Sequence, residues 1–137
     1  MSNQVFLLSP ANCGGTRAKQ VVSEAAQFAL AVQLRTAGGA ALGDVFSFVS
    51  GLYFRGKLAY ARRFARPPDP ADRVAASGVL VITPNAGLCA ADVSVTADSI
   101  RAFAGVSLDL ANARYRRPLE QGARALFDSI GPECNVV

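Results

Sequence analysis

Two short apolar runs, each stopped by a proline-bearing turn, constrain the fold of this chain more than any other feature. Gly78-Val79-Leu80-Val81-Ile82-Thr83 holds three β-branched residues in an apolar core of four, and Pro84-Asn85-Ala86-Gly87 follows it. That pattern predicts a central parallel strand leading into a loop. Gln4 to Leu8 is a nearly continuous apolar run ended by Ser9-Pro10, as a buried parallel strand is. The stretches between and after these runs carry helical periodicity, and Cys134-Asn135-Val136-Val137 opens like a third strand. Strand, helices, strand, helices, strand is βαβ logic. The expected fold is a three-layer, Rossmann-like α/β domain with a mostly parallel sheet, spanning residues 1–137. Three strands make a thin sheet to cover on both faces. The short last strand therefore predicts a sheet truncated at the C-terminus, or one that a partner completes.

The helical segments have readable limits. Thr16 suits an N-cap, and an apolar stripe of Val21, Ala25, Phe28 and Val32 predicts one helix to about Thr36, closed by Gly38-Gly39. Ala40 to Ala65 reads as broken helix, although Asp44 to Val49 alternates enough to compete as a strand. Pro67-Pro68-Asp69-Pro70 ends it. A helix is predicted from Thr96 to Ala104, another from Ser107 to Tyr115, and a last one from Pro118 to Ile130 before Gly131-Pro132.

With 137 residues the chain fits one domain with a real core. It contains no histidine, which removes histidine triads, His-ligated zinc and imidazole acid/base steps from within the chain. Three cysteines (Cys13, Cys89 and Cys134) are too few for a four-cysteine metal cage, so no metal site is expected. Their odd number and lack of pairing pattern suit a reducing compartment. The start Met1-Ser2-Asn3-Gln4 has no basic segment, and the apolar run after it is too short for a signal peptide. No stretch reaches the length of a membrane span. A cytoplasmic protein is expected. The net charge of +4 comes from twelve arginines and two lysines against ten acids, a mild lean toward anionic partners.

In open parallel sheets, ligands bind beyond the carboxyl ends of the strands. Ser9, Asn12, Gly14, Gly15, Thr16 and Arg17 follow the first strand. The paired glycines let backbone N–H groups approach an anion, and Thr16 and Arg17 can donate to phosphate or carboxylate. The segment matches neither the P-loop nor the dinucleotide fingerprint, and a turn with a helix cap explains it equally simply. Cys13 precedes a helix start near Arg17, where a thiol pKa falls. A cysteine-phosphatase loop, however, needs five residues between Cys and Arg, where this chain has three and puts Lys19 in that place. Beyond the second strand, Asn85, Gly87 and Asp92 can face a ribose or base. Asp92 and Asp98 are the candidate general bases, and Asp92 is the one a carboxylate-assisted glycosidic or transfer reaction would use. Asp98 is also explained by the helix dipole.

Two arginine clusters remain. Arg55, Lys57, Arg62, Arg63 and Arg66 follow Tyr53-Phe54, and Arg114, Arg116 and Arg117 surround Tyr115. Basic residues among aromatics bind phosphates and stack bases, while the plainer reading is a solvated face paired with Asp69, Asp72 or Glu120.

Residues Gly51 to Ala61 (Gly-Leu-Tyr-Phe-Arg-Gly-Lys-Leu-Ala-Tyr-Ala) and Val79 to Leu88 (Val-Leu-Val-Ile-Thr-Pro-Asn-Ala-Gly-Leu) resemble uncharacterised bacterial proteins of the YaaA-like and Rossmann-like groups. Ser9-Pro10 and Gly87-Leu88 are the matching points. The resemblance covers about half the chain. It implies a link to nucleotide or nucleic-acid metabolism, implies a sheet that continues further, and assigns no catalytic residue. The expected function is binding of a nucleotide, nucleoside or similar phosphorylated, anionic small molecule at the sheet's carboxyl edge. The residues name no cofactor. Two alternatives are nucleic-acid binding through the arginines, and an interaction module completed by a partner or a second copy.

Overall fold

The computed structural model describes residues 2–72 and 75–137. Its elements in order are β1 (Gln4–Leu8), α1 (Thr16–Val22), α2 (Ala29–Leu34), β2 (Ala40–Ala41), α3 (Leu42–Ser50), α4 (Leu52–Phe64), β3 (Val79–Thr83), β4 (Gly87–Ala90), β5 (Ser94–Val95), α5 (Ala97–Ala104), α6 (Ala113–Ile130) and β6 (Asn135–Val136). The chain is mixed α/β, and its main sheet has four strands in the order β4-β3-β1-β6. β1 pairs in parallel with β3 (Phe6 opposite Val79) and with β6 (Gln4 opposite Asn135), while β4 is antiparallel to β3. A mostly parallel sheet is therefore present, with β2 and β5 forming a separate two-stranded ribbon.

Strand alternation sorts the core. Phe6 and Leu8 of β1, with Val79 and Val81 of β3, join buried residues from α1 to α5, among them Val21, Leu34, Phe46, Leu58 and Ile100. Val5 and Leu80 belong to a second cluster with Leu126, Ile130 and Cys134, which α6 and the residues after it supply. Burying side chains of this kind stabilises by roughly 1.5–3 kcal/mol each.

Four features depart from the sequence reading, each for a local reason. The single helix expected from Thr16 to Thr36 is two, because the chain becomes extended at Ser23 (ψ 131°), where the Ser23 hydroxyl accepts from the Ala25 N–H. Serine side chains offer the backbone this alternative to helix. Arg101 and Arg35 then donate to the carbonyls of Val22 and Ser23, satisfying groups the broken helix leaves open. Gly15, not Thr16, is the residue capping α1.

Second, the residues after β3 form a hairpin rather than a loop. Thr83 pairs with Gly87, which has φ +65°. The buried Thr83 hydroxyl accepts from the Ala86 N–H and donates to the Gly87 carbonyl at 2.8 Å. Three residues, Pro84 to Ala86, span the turn, and the left-handed Gly87 closes it as the first residue of β4. Third, residues 107–112 are irregular and α6 begins at Ala113. The Asp109 carboxylate accepts from the Ala111 N–H, and Asn112 caps the helix by accepting from the Arg114 N–H. Fourth, Pro118 lies inside α6 instead of in its first turn. Asp44 to Val49 is helical, as the broken-helix reading has it.

Among the described residues, no helix is long and apolar enough to cross a membrane.

Candidate functional site

The carboxyl ends of β1 and β3 open onto a cleft of about 430 Å³. The β1–α1 segment Ala11-Asn12-Cys13-Gly14 forms one wall, Pro84 closes the end of β3, and Phe103, Ala104, Val106, Ser107 and Leu108 form the other wall. The volume lies within the roughly 300–1,000 Å³ typical of small-molecule sites. Its hydrogen-bonding side chains are Asn12 and Ser107, and its lining carries no charged side chain. A smaller cavity of about 160 Å³ shares Cys13, Gly14 and Ala104 with it and adds Lys19 and Arg101. An uncharged cleft thus adjoins a basic recess.

Asn12 organises the loop. Its side-chain oxygen accepts from the Gly14 N–H and its backbone carbonyl from the Gly15 N–H, both at 3.2 Å. The two glycine amides expected to cradle an anion are in this way turned back into their own turn. Thr16 is exposed at the start of α1. Arg17 lies away from any anion cradle as well. Its guanidinium stacks over the Phe48 ring, 4.3 Å from the centroid, and Nε donates to the Phe48 carbonyl. Phe28 stacks with the same ring, the two centroids 5.2 Å apart. Ser9 lines a different cavity, between β1 and α4.

The second predicted segment divides. Asn85 is half-buried in the hairpin turn beside Pro84. Gly87 is buried for packing, since a Cβ there would stand 2.3 Å from the Pro118 carbonyl oxygen of α6. Asp92 follows β4, whose antiparallel course returns the chain to the amino end of the parallel strands, where Ala90 pairs with Leu80. It is exposed and faces Arg62 of α4 at 3.6 Å. The sheet therefore stands between Asp92 and the cleft. Asp98, in the first turn of α5, pairs with Arg101 at 3.1 Å and lines a separate polar groove with Glu24 and Arg35.

Cys13 lines the cleft but does not have the lowered thiol pKa expected at a helix start. Burial pushes it up to about 11. Cys89 and Cys134 are also raised by burial, and all three cysteines are free thiols. Among the described residues, no group of three or more Cys, Asp and Glu side chains is placed to hold a metal ion.

The residues that the sequence reading does not reach are those following α5. Gly105 ends that helix, and the signal lay in Asp109 and Asn112, two turn-forming side chains that break the helical pattern read there. The aromatic of the second arginine cluster is also unavailable for stacking, because Tyr115 is buried. Compared with known proteins, the chain matches no family model, no curated protein and no solved structure.

Proposed function

We propose that this chain is a three-layer, Rossmann-like domain of the cytoplasm that binds a nucleoside, or a nucleotide through its nucleoside part, in the carboxyl-edge cleft. The observation that carries this reading is the cleft itself, built from both strand ends at the place where open parallel sheets take ligands. Pro84, Val106, Leu108 and the ring of Phe103 give apolar surface for a flat base, and Asn12 and Ser107 give donors and acceptors for its polar edge or a sugar hydroxyl. A phosphate attached to such a ligand would extend toward Lys19 and Arg101 in the adjoining recess. No carboxylate lines the cleft, so binding is proposed without a reaction.

Thermal unfolding in the presence of nucleosides, nucleotides, sugar phosphates and short oligonucleotides at two salt concentrations tests this. A ligand that binds only the folded state raises the midpoint by mass action. The expected result is a shift with one nucleoside that salt does not alter, lost in Ala104→Trp, which fills the cleft from an exposed position. Shifts with oligonucleotides alone, vanishing at higher salt, would instead support the arginine face of α4, where Tyr53 and Arg55 are exposed.

A further inference from the structure

A second cavity, of about 220 Å³, lies between the end of β1 and α4 and is independent of the cleft. Leu8, Pro10, Tyr53 and Phe54 make it mostly apolar, Ser9 and Ser50 contribute hydroxyls, and Lys57 contributes an ammonium. The position of this ammonium follows from strand register. The Val137 N–H donates to the Val5 carbonyl and the Leu7 N–H to the Val137 carbonyl, so these groups of β1 face β6. The next carbonyl on that side, that of Leu7, accepts from Lys57 Nζ at 2.8 Å. Lys57 flanks the buried stripe of α4 formed by Phe54, Leu58 and Ala61 and is itself half-buried. The ammonium is therefore held in place before any ligand arrives. Of its three N–H donors, the Leu7 carbonyl takes one.

We propose that this cavity binds a small apolar monocarboxylic acid, its carboxylate on Lys57 Nζ and its hydrocarbon or aromatic body between Pro10, Tyr53 and Phe54. The volume is below that of drug-sized sites, roughly 300–1,000 Å³, which limits the occupant to a compact acid. A phosphate suits the site poorly. It carries more charge and more hydration, and phosphate sites supply several convergent donors or a guanidinium fork, whereas one ammonium and two hydroxyls in apolar surroundings match a monoanion.

Benzoate, with benzamide as its neutral isostere and inorganic phosphate as a competitor, tests the proposal by amide chemical-shift titration. Benzoate is expected to move the resonances of Ser9, Ser50, Tyr53 and Lys57 saturably. Benzamide should bind weaker by about tenfold or more, the worth of one hydrogen bond to a charged group, and phosphate should not displace benzoate. Lys57→Met should lose binding. Because that change also removes the Leu7 contact, Ser50→Trp serves as a second variant that blocks the cavity and leaves Lys57 in place. Ala104→Trp, in the other cleft, should bind benzoate as the unaltered chain does. The proposal is overturned if benzoate shifts nothing in the millimolar range, if folded Lys57→Met or Ser50→Trp protein binds it unchanged, or if phosphate displaces it equally well.

Discussion

Gly14 and Gly87 look alike in the sequence, each a glycine in a turn after a strand, yet they sit under opposite constraints. Gly14 is exposed, and a Cβ there would make only an ordinary contact of 3.6 Å with the Asn12 side chain. Gly14→Ala is expected to change stability by no more than about 0.5 kcal/mol. Gly87 has φ +65° and lies against the Pro118 carbonyl. Gly87→Ala combines left-handed strain with overpacking and should cost about 2–4 kcal/mol. Urea denaturation of the two variants measures both. Cys13 makes a different residue-scale prediction. Burial raises its pKa from 9.0 to about 11, so the folded state holds the thiol proton more tightly than the unfolded state. The resulting stabilisation is complete below pH 9.0 and is lost as the pH climbs toward about 11. It amounts to about 2–3 kcal/mol, and Cys13→Ala should flatten that part of the stability profile. Below pH 9.0 the native thiol should also alkylate far more slowly than in the denatured chain.

At the scale of elements, the residues that announce structure through their own chemistry were the legible ones. Thr96 marks the start of a helix in the sequence, and it accepts from the Ser99 N–H while the Ser99 hydroxyl accepts from the Thr96 N–H, a reciprocal cap. β1 and β3 were visible because buried parallel strands have continuous apolar runs. β4 was not, because Gly87-Leu88-Cys89-Ala90 is short and has little β-branched character; only Pro84 and Gly87 together mark the hairpin. The candidate site was half legible. Asn12, Gly14 and the end of β3 line one cleft, while Asp92 lies at the other end of the sheet because β4 turns back along β3, a return that its residues do not announce. α6 offers the test at this scale. Pro118 in its interior leaves the Arg114 carbonyl without its usual helical donor. Pro118→Ala should restore that bond and stabilise the fold by about 1–3 kcal/mol, with greater amide protection around Arg114 to Pro118. Unchanged stability would mean that the missing Arg114 bond costs the fold nothing.

For the whole molecule, the sheet separates two cores that do not share side chains: Ile100 belongs to the larger and Ile130 to the smaller. Ile100→Val and Ile130→Val should each cost about 0.5–1.5 kcal/mol. Because the sites have no common partners, the double variant should equal their sum to within about 0.5 kcal/mol. A larger coupling would show that the sheet transmits packing strain between its faces. The same sheet order has a kinetic side. β1 is interior to the sheet, yet Phe6 finds its partner at Val79 and Gln4 at Asn135. β1 can pair on one side only once Val79 has been made, and on the other only when residue 136 arrives. Such long loop closures fold slowly, and until they close an apolar strand with two open edges is exposed to other chains. For this protein, the hazardous interval is the time between the emergence of Val5 and the arrival of Val136.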